Sequence, residues 1–227
     1  MQGVLTVVIH RARRRRRRLL ALLLIAAAIV AAFLWRNREQ PTSVPALQPF
    51  DGILTDQSIC AVTLSLTGVE SDAALELFRS VCIGMEVRPC VFVTIDWLEK
   101  HRDKIHDLSY AELGLLFERA PGGANRKRVM ANLAEENERF LALTGSFPRF
   151  VRFSSGAPNA TVSAALQAYG QILVSSRSSL VDVPSPGAIA DCGLLNGTTG
   201  YTLAKYCAAA FAEGYTLLPL SDLQKYI

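Results

Sequence analysis

The chain has 227 residues, enough for one domain with a core of its own and a short appendage. Half of its residues are hydrophobic and the net charge is +4, but the N-terminus distorts both figures. Residues 1–40 hold nine Arg and one Glu, a net of +8, which leaves −4 on the remaining 187. A mildly acidic folded part lacks the clustered Lys and Arg that grip phosphates, which sets nucleic acid aside as a partner.

Arg11 and Arg13 to Arg18 form a dense cationic block, and Leu19 to Trp35 then runs seventeen residues without a charged or polar side chain. At about 1.5 Å of rise per residue this makes roughly 25 Å of helix, close to the thickness of a hydrocarbon core. The positive-inside bias predicts a single transmembrane helix over 19–35, with the tail 1–18 cytoplasmic and the rest outside the plasma membrane. A cleavable signal peptide is the competing reading. Its apolar region is usually shorter and ends in small residues, whereas Ala26 to Ala28, Ala31 and Ala32 lie within this run and Phe33, Leu34 and Trp35 close it. Residues 36–57, with Pro41, Pro45 and Pro49, read as a stalk, and 58–227 as an extracytoplasmic domain.

From Ile59 onward, short apolar runs alternate with helical patterns, the signature of βα units and a mainly parallel sheet. Strands are expected at Cys60 to Leu66, Cys90 to Ile95, Phe150 to Phe153, Ile172 to Ser176 and Tyr215 to Pro219, with a weaker one at Ala188 to Cys192. A helix capped by Ser71 or Asp72 carries Leu75, Phe78 and Cys82 on one face and stops at Gly84. Asp96 and Glu99 have capping-box spacing for a helix through about Lys104. Val129, Leu133, Phe140 and Leu141 mark an amphipathic helix over 125–143, ended by Gly145. Further helices are expected at about Val162 to Tyr169 and Thr202 to Glu213, and a short one from Ser221. Six or seven strands suit a distorted barrel or an open doubly wound sheet.

The segments Ala61-Val62-Thr63-Leu64-Ser65-Leu66-Thr67-Gly68, Cys90 to Leu98, Leu143 to Arg152 and Gly214 to Leu223 follow one another as in the NodB-homology domain. In this order and spacing the chain resembles the polysaccharide deacetylase family over about residues 58–226. The resemblance implies an α/β fold, a distorted (β/α) barrel of the NodB type. It also implies an activity: removal of N-acetyl groups from glycans by a water on a divalent metal. One Asp and two His hold the metal, a second Asp is the base and a later His the acid.

Those side chains are missing. Laid over T-F-D-D-G, Leu64-Ser65-Leu66-Thr67-Gly68 puts Leu66 at the base position and Thr67 at the metal-ligand position. The H-x-x-x-H pair falls on Leu116 and Ala120, and the acid near Gly193. Of R-P-P-Y-G, Arg152-Phe153-Ser154-Ser155-Gly156 keeps arginine and glycine. The three histidines (His10, His101 and His106) lie outside every motif, so no metal or other cofactor is expected.

Cys60, Cys82, Cys90, Cys192 and Cys207 lie beyond the apolar run. A Cys60–Cys90 disulfide is conceivable because both begin neighbouring strands, and buried thiols are the alternative. Ser154 and Ser155 lack a histidine or a nucleophile elbow, so a serine hydrolase is not expected. Asn159-Ala160-Thr161 and Asn196-Gly197-Thr198 match the glycosylation pattern and read as ordinary turns. Three functions remain open. The first is a pseudoenzyme at the bacterial surface, whose groove (Arg152, Ser154, Ser155, Asp191 and Thr67) binds cell-wall glycan or an envelope protein. The second is a structural module of an envelope complex. The third is an enzyme using Glu118, Asp182 or Asp191 in an unfamiliar way.

Overall fold

The computed structural model describes residues 48–120, 125–176, 178–180 and 182–226. The expected tail, membrane helix and first part of the stalk lie outside the described residues. Among the described residues no helix is long and apolar enough to cross a membrane.

Eight strands form one sheet in the order β5-β4-β3-β2-β1-β7-β6, with β8 pairing to the start of β1. They are β1 (Ile59–Leu66), β2 (Cys90–Val93), β3 (Glu112–Phe117), β4 (Phe150–Phe153), β5 (Ile172–Leu173), β6 (Ser178–Ser179), β7 (Ile189–Leu194) and β8 (Thr216–Leu217). Every pairing between these strands is parallel. The helices are α1 (Asp72–Gly84), α2 (Ile95–Lys100), α3 (Arg126–Thr144), α4 (Ala160–Ala168), α5 (Thr199–Ala212) and α6 (Leu220–Leu223). The sheet curls into a parallel half-barrel, so the expected α/β architecture is present.

Two apolar clusters lie on its two faces. The outer one packs Val62, Leu64, Val91, Leu115 and Val151 against Phe78, Leu98, Leu133, Phe140 and Leu203 of the helices. The inner one joins Ala61, Phe92, Leu116, Phe150 and Ile189 to Leu220 and Leu223 of α6. Alternation along parallel strands buried on both faces feeds both clusters.

Several local expectations need correction. Glu112–Phe117, absent from the expected strands, is a full strand paired to β2 and β4. The cap of α2 is Thr94, whose hydroxyl accepts from Trp97 N at 3.1 Å, so the helix starts before Asp96. Residues Arg102–Leu108 tighten into a 3-10 helix. The end of the expected stalk packs on the sheet: Phe50 is buried, and Phe50 N donates to Leu173 O at 2.7 Å. Cys60 and Cys90 cannot join. The register partner of Cys90 is Thr63, and the two cysteines face opposite clusters. All five thiols are free.

Candidate functional site

The site follows from which way each strand residue points. On β1, Cys60, Val62, Leu64 and Leu66 enter the outer core, while Thr63 and Ser65 face the inside of the curl. On β4, Val151 packs outward and Phe150 and Arg152 point inward. Parallel pairing carries these inward groups to one place near the C-terminal ends of the strands, where β7 supplies Asp191.

Arg152 Nη1 donates to Asp191 Oδ1 at 2.8 Å and lies 3.4 Å from Ser65 Oγ. Its Nη2 donates to Thr63 Oγ1 at 2.8 Å, and that hydroxyl donates onward to Asp191 Oδ1 at 2.9 Å. The guanidinium carbon stands 4.3 Å above the centre of the Phe92 ring, a cation–π contact away from water. Phe92 fits because its neighbour in β3 is Gly114, where a Cβ would lie 2.6 Å from Phe92 Cε1. Only 7% of Arg152 is exposed, and its Nε is buried without a partner among the described residues. Burial pushes the Cys90 thiol up, helped by Glu112 and opposed by Arg152. Burial likewise holds Cys192, beside Asp191, well above its ordinary value.

This knot has little hydrolytic capacity. Its carboxylate is neutralised by a guanidinium that neither gives nor takes a proton. Its remaining groups are hydroxyls. Among the described residues no three His, Cys, Asp or Glu come together to hold a metal ion. The donor set therefore does not fit the divalent metal that the resemblance implies.

Leu66 is fully buried in the outer cluster, so a base there would point away from the interior. The inward residue is Ser65. Sliding the motif by one, to Thr63-Leu64-Ser65-Leu66-Thr67, matches its threonine and sets Ser65 against Arg152. Neither register supplies a carboxylate. Thr67 lies past the strand end, where its N and Oγ1 donate to Glu70 Oε1 at 2.5 and 3.2 Å. Leu116 faces the inner cluster, and Ala120 N donates to Ser155 O at 3.1 Å in the loops. Gly193 sits in a β-bulge, φ 68°, where the β1–β7 register slips by one residue.

Of the five expected groove residues, the structure brings together Arg152 and Asp191. Ser154 and Ser155 are exposed and stitch the loops after β3 and β4: Ser154 N donates to Phe117 O, and Ser155 Oγ to Glu118 O, both at 2.8 Å. Asp182 accepts from Ser179 N and Oγ, which hold its carboxyl below the usual range. Sequence reasoning missed Thr63, Ser65 and Phe92, although the period of two along β1 and β2 marks them as inward.

No family model and no curated protein matches the chain. Solved structures do. A family 4 carbohydrate esterase from Bacillus anthracis superposes with a TM-score of 0.69 at 18% identity, over 79% of this chain and 88% of that one. A family 4 pseudoenzyme from Bacillus anthracis gives 0.64 at 15%, over 78% and 69%. A mutant of that pseudoenzyme with restored enzymatic activity gives 0.67 at 14%, over 78% and 71%. The chain has the fold of the polysaccharide deacetylases, the family 4 carbohydrate esterases. That fold carries active enzymes and pseudoenzymes alike.

Proposed function

We propose that this protein is a membrane-anchored, catalytically inactive polysaccharide deacetylase-like domain that binds cell-wall glycan at the bacterial surface. The observation that carries the reading is the Arg152–Asp191 pair, closed upon itself with Thr63 and Ser65 where hydrolysis would need a free base and metal ligands. A pseudoenzyme among the structures of the same fold supports it. Asp191, Ser154 and Ser155 offer the polar contacts, and Arg152 positions Asp191. The Arg-rich block and the apolar run after it supply the anchor.

The test is co-sedimentation of the purified full chain with insoluble peptidoglycan and chitin. Saturable binding without released acetate is expected, and absence of binding to either would overturn the glycan part. An envelope protein as the partner, or a purely structural role, is favoured by one feature: Leu116 and Arg152 are both buried, which fills the interior close to its mouth.

A further inference from the structure

A second polar recess includes Asp191 of the Arg152–Asp191 pair in its lining. A cavity of about 170 Å³ opens between β6, β7 and the first turns of α5. Leu180, Asp191, Asn196, Thr198 and Thr202 are among its lining residues. Deep sites for drug-sized ligands run to about 300–1,000 Å³, so this one suits a single small ring.

The chemistry of the lining is specific. Asp191 spends Oδ1 on Arg152 and Thr63, and Oδ2 has no hydrogen-bond partner among the described residues. Its side chain is 26% exposed and lines the recess. Arg152 at 2.8 Å already balances its charge, so the recess offers an acceptor without calling for a cation. Asn196 uses Oδ1 to accept from Thr198 N at 2.9 Å and from Thr198 Oγ1 at 2.8 Å, which fixes the amide plane. Its Nδ2 is then left as a donor, without a partner among the described residues. Thr202 Oγ1 donates to Thr198 O at 3.1 Å and keeps its lone pairs for a ligand. Leu180 adds an apolar wall. A carboxylate oxygen, an amide donor and a hydroxyl acceptor around one apolar wall match a neutral ring that carries several hydroxyls.

We infer that this recess, and not the barrel interior, is the sugar-binding pocket, taking one neutral hexose or N-acetylhexosamine unit against Asp191, Asn196 and Thr202. The inference rests on the glycan reading above and moves its contact point from the strand ends of β4 to the β7–α5 junction. Arg152 is then a positioning residue, which holds Asp191 in the lining of the recess.

The test is calorimetric titration of the full chain with N-acetylglucosamine oligomers of one to six units. Two pocket variants, Thr202→Trp and Thr202→Val, are compared with Glu138→Ala on the exposed face of α3, and thermal unfolding reports the folding of each. Thr202→Trp fills the recess and is expected to weaken binding at least tenfold. Thr202→Val removes only the hydroxyl and is expected to weaken it several-fold, which preserves the test if the larger side chain unfolds the domain. Glu138→Ala is expected to bind like the parent. Sugar binding that survives both Thr202 variants would overturn the pocket and leave the glycan reading standing. Failure of the parent chain to bind any oligomer would overturn both.

Discussion

Arg152 Nη1 and Asp191 Oδ1 meet at 2.8 Å, joining β4 to β7 across the inside of the half-barrel. Both side chains are largely withdrawn from water, at 9% and 26% exposure, so each depends on the other. Removing one member of such a pair strands the other charge and costs about 3–5 kcal/mol. Because Asp191 keeps some solvent, Arg152→Met is expected near the lower end, about 3 kcal/mol, read from urea unfolding. Arg152→Met combined with Asp191→Leu should lose clearly less than the sum of the single changes. Strict additivity would show that the pair is not coupled.

The direction of β1 side chains gives a sharper test. Ser65→Asp places a carboxylate beside Arg152, which already lies 3.4 Å from Ser65 Oγ, and the domain should stay folded. Leu66→Asp places the same group in the fully buried outer cluster without a cation and should cost about 4 kcal/mol or more. Circular dichroism melts of the two variants suffice. Equal tolerance at both positions would contradict the inward assignment of Ser65.

Gly114 exists to seat Phe92. A methyl there would meet Cε1 and Cδ1 of Phe92 at 2.6 and 2.7 Å and the Phe150 carbonyl oxygen at 3.1 Å. Gly114→Ala should cost about 1–3 kcal/mol through overpacking. It should also lift Arg152 off the ring. Adding Phe92→Leu should recover part of the loss, and a Gly114→Ala variant as stable as the parent would show that the interior is slack.

Stability should fall on the alkaline side. Burial pushes the Cys207 thiol up to about 12, and it raises Cys60, Cys82, Cys90 and Cys192 as well. The unfolded chain loses these protons from about pH 8.5 while the folded chain keeps them. The unfolded state then binds fewer protons, so stability declines with rising pH by roughly 1.4 kcal/mol per pH unit for each such thiol. The decline begins near the ordinary thiol value and for Cys207 runs to about 12. Urea midpoints at about pH 8 and about pH 10 should show it, and Cys82→Ala with Cys207→Ala should flatten it. Identical slopes in parent and variant would contradict it.

What the sequence showed follows from periodicity. β1, β2 and β4 are uninterrupted β-rich runs, and Ser71 caps α1 as expected, whereas Asn159, read as part of a turn, caps α4. β3 was hidden because Glu112 and Gly114 spoil the apolar run; they are there for tertiary reasons. Glu112 accepts from Ser221 N at 3.1 Å, and Gly114 yields to Phe92. β6 is two residues long and β7 is bent by the Gly193 bulge, so neither leaves a clean pattern. Arg152 was legible from its motif, and Asp191 only from its loop position. Their partnership was not legible, because it is made by sheet register across 39 residues of chain.

The most direct measurement is metal content and acetate release with the purified full chain. The substrates are N-acetylated chitin oligomers and peptidoglycan fragments, with zinc or cobalt supplied. A folded domain is expected to hold no stoichiometric metal and to release no acetate above the protein-free control. Bound metal together with released acetate would contradict it.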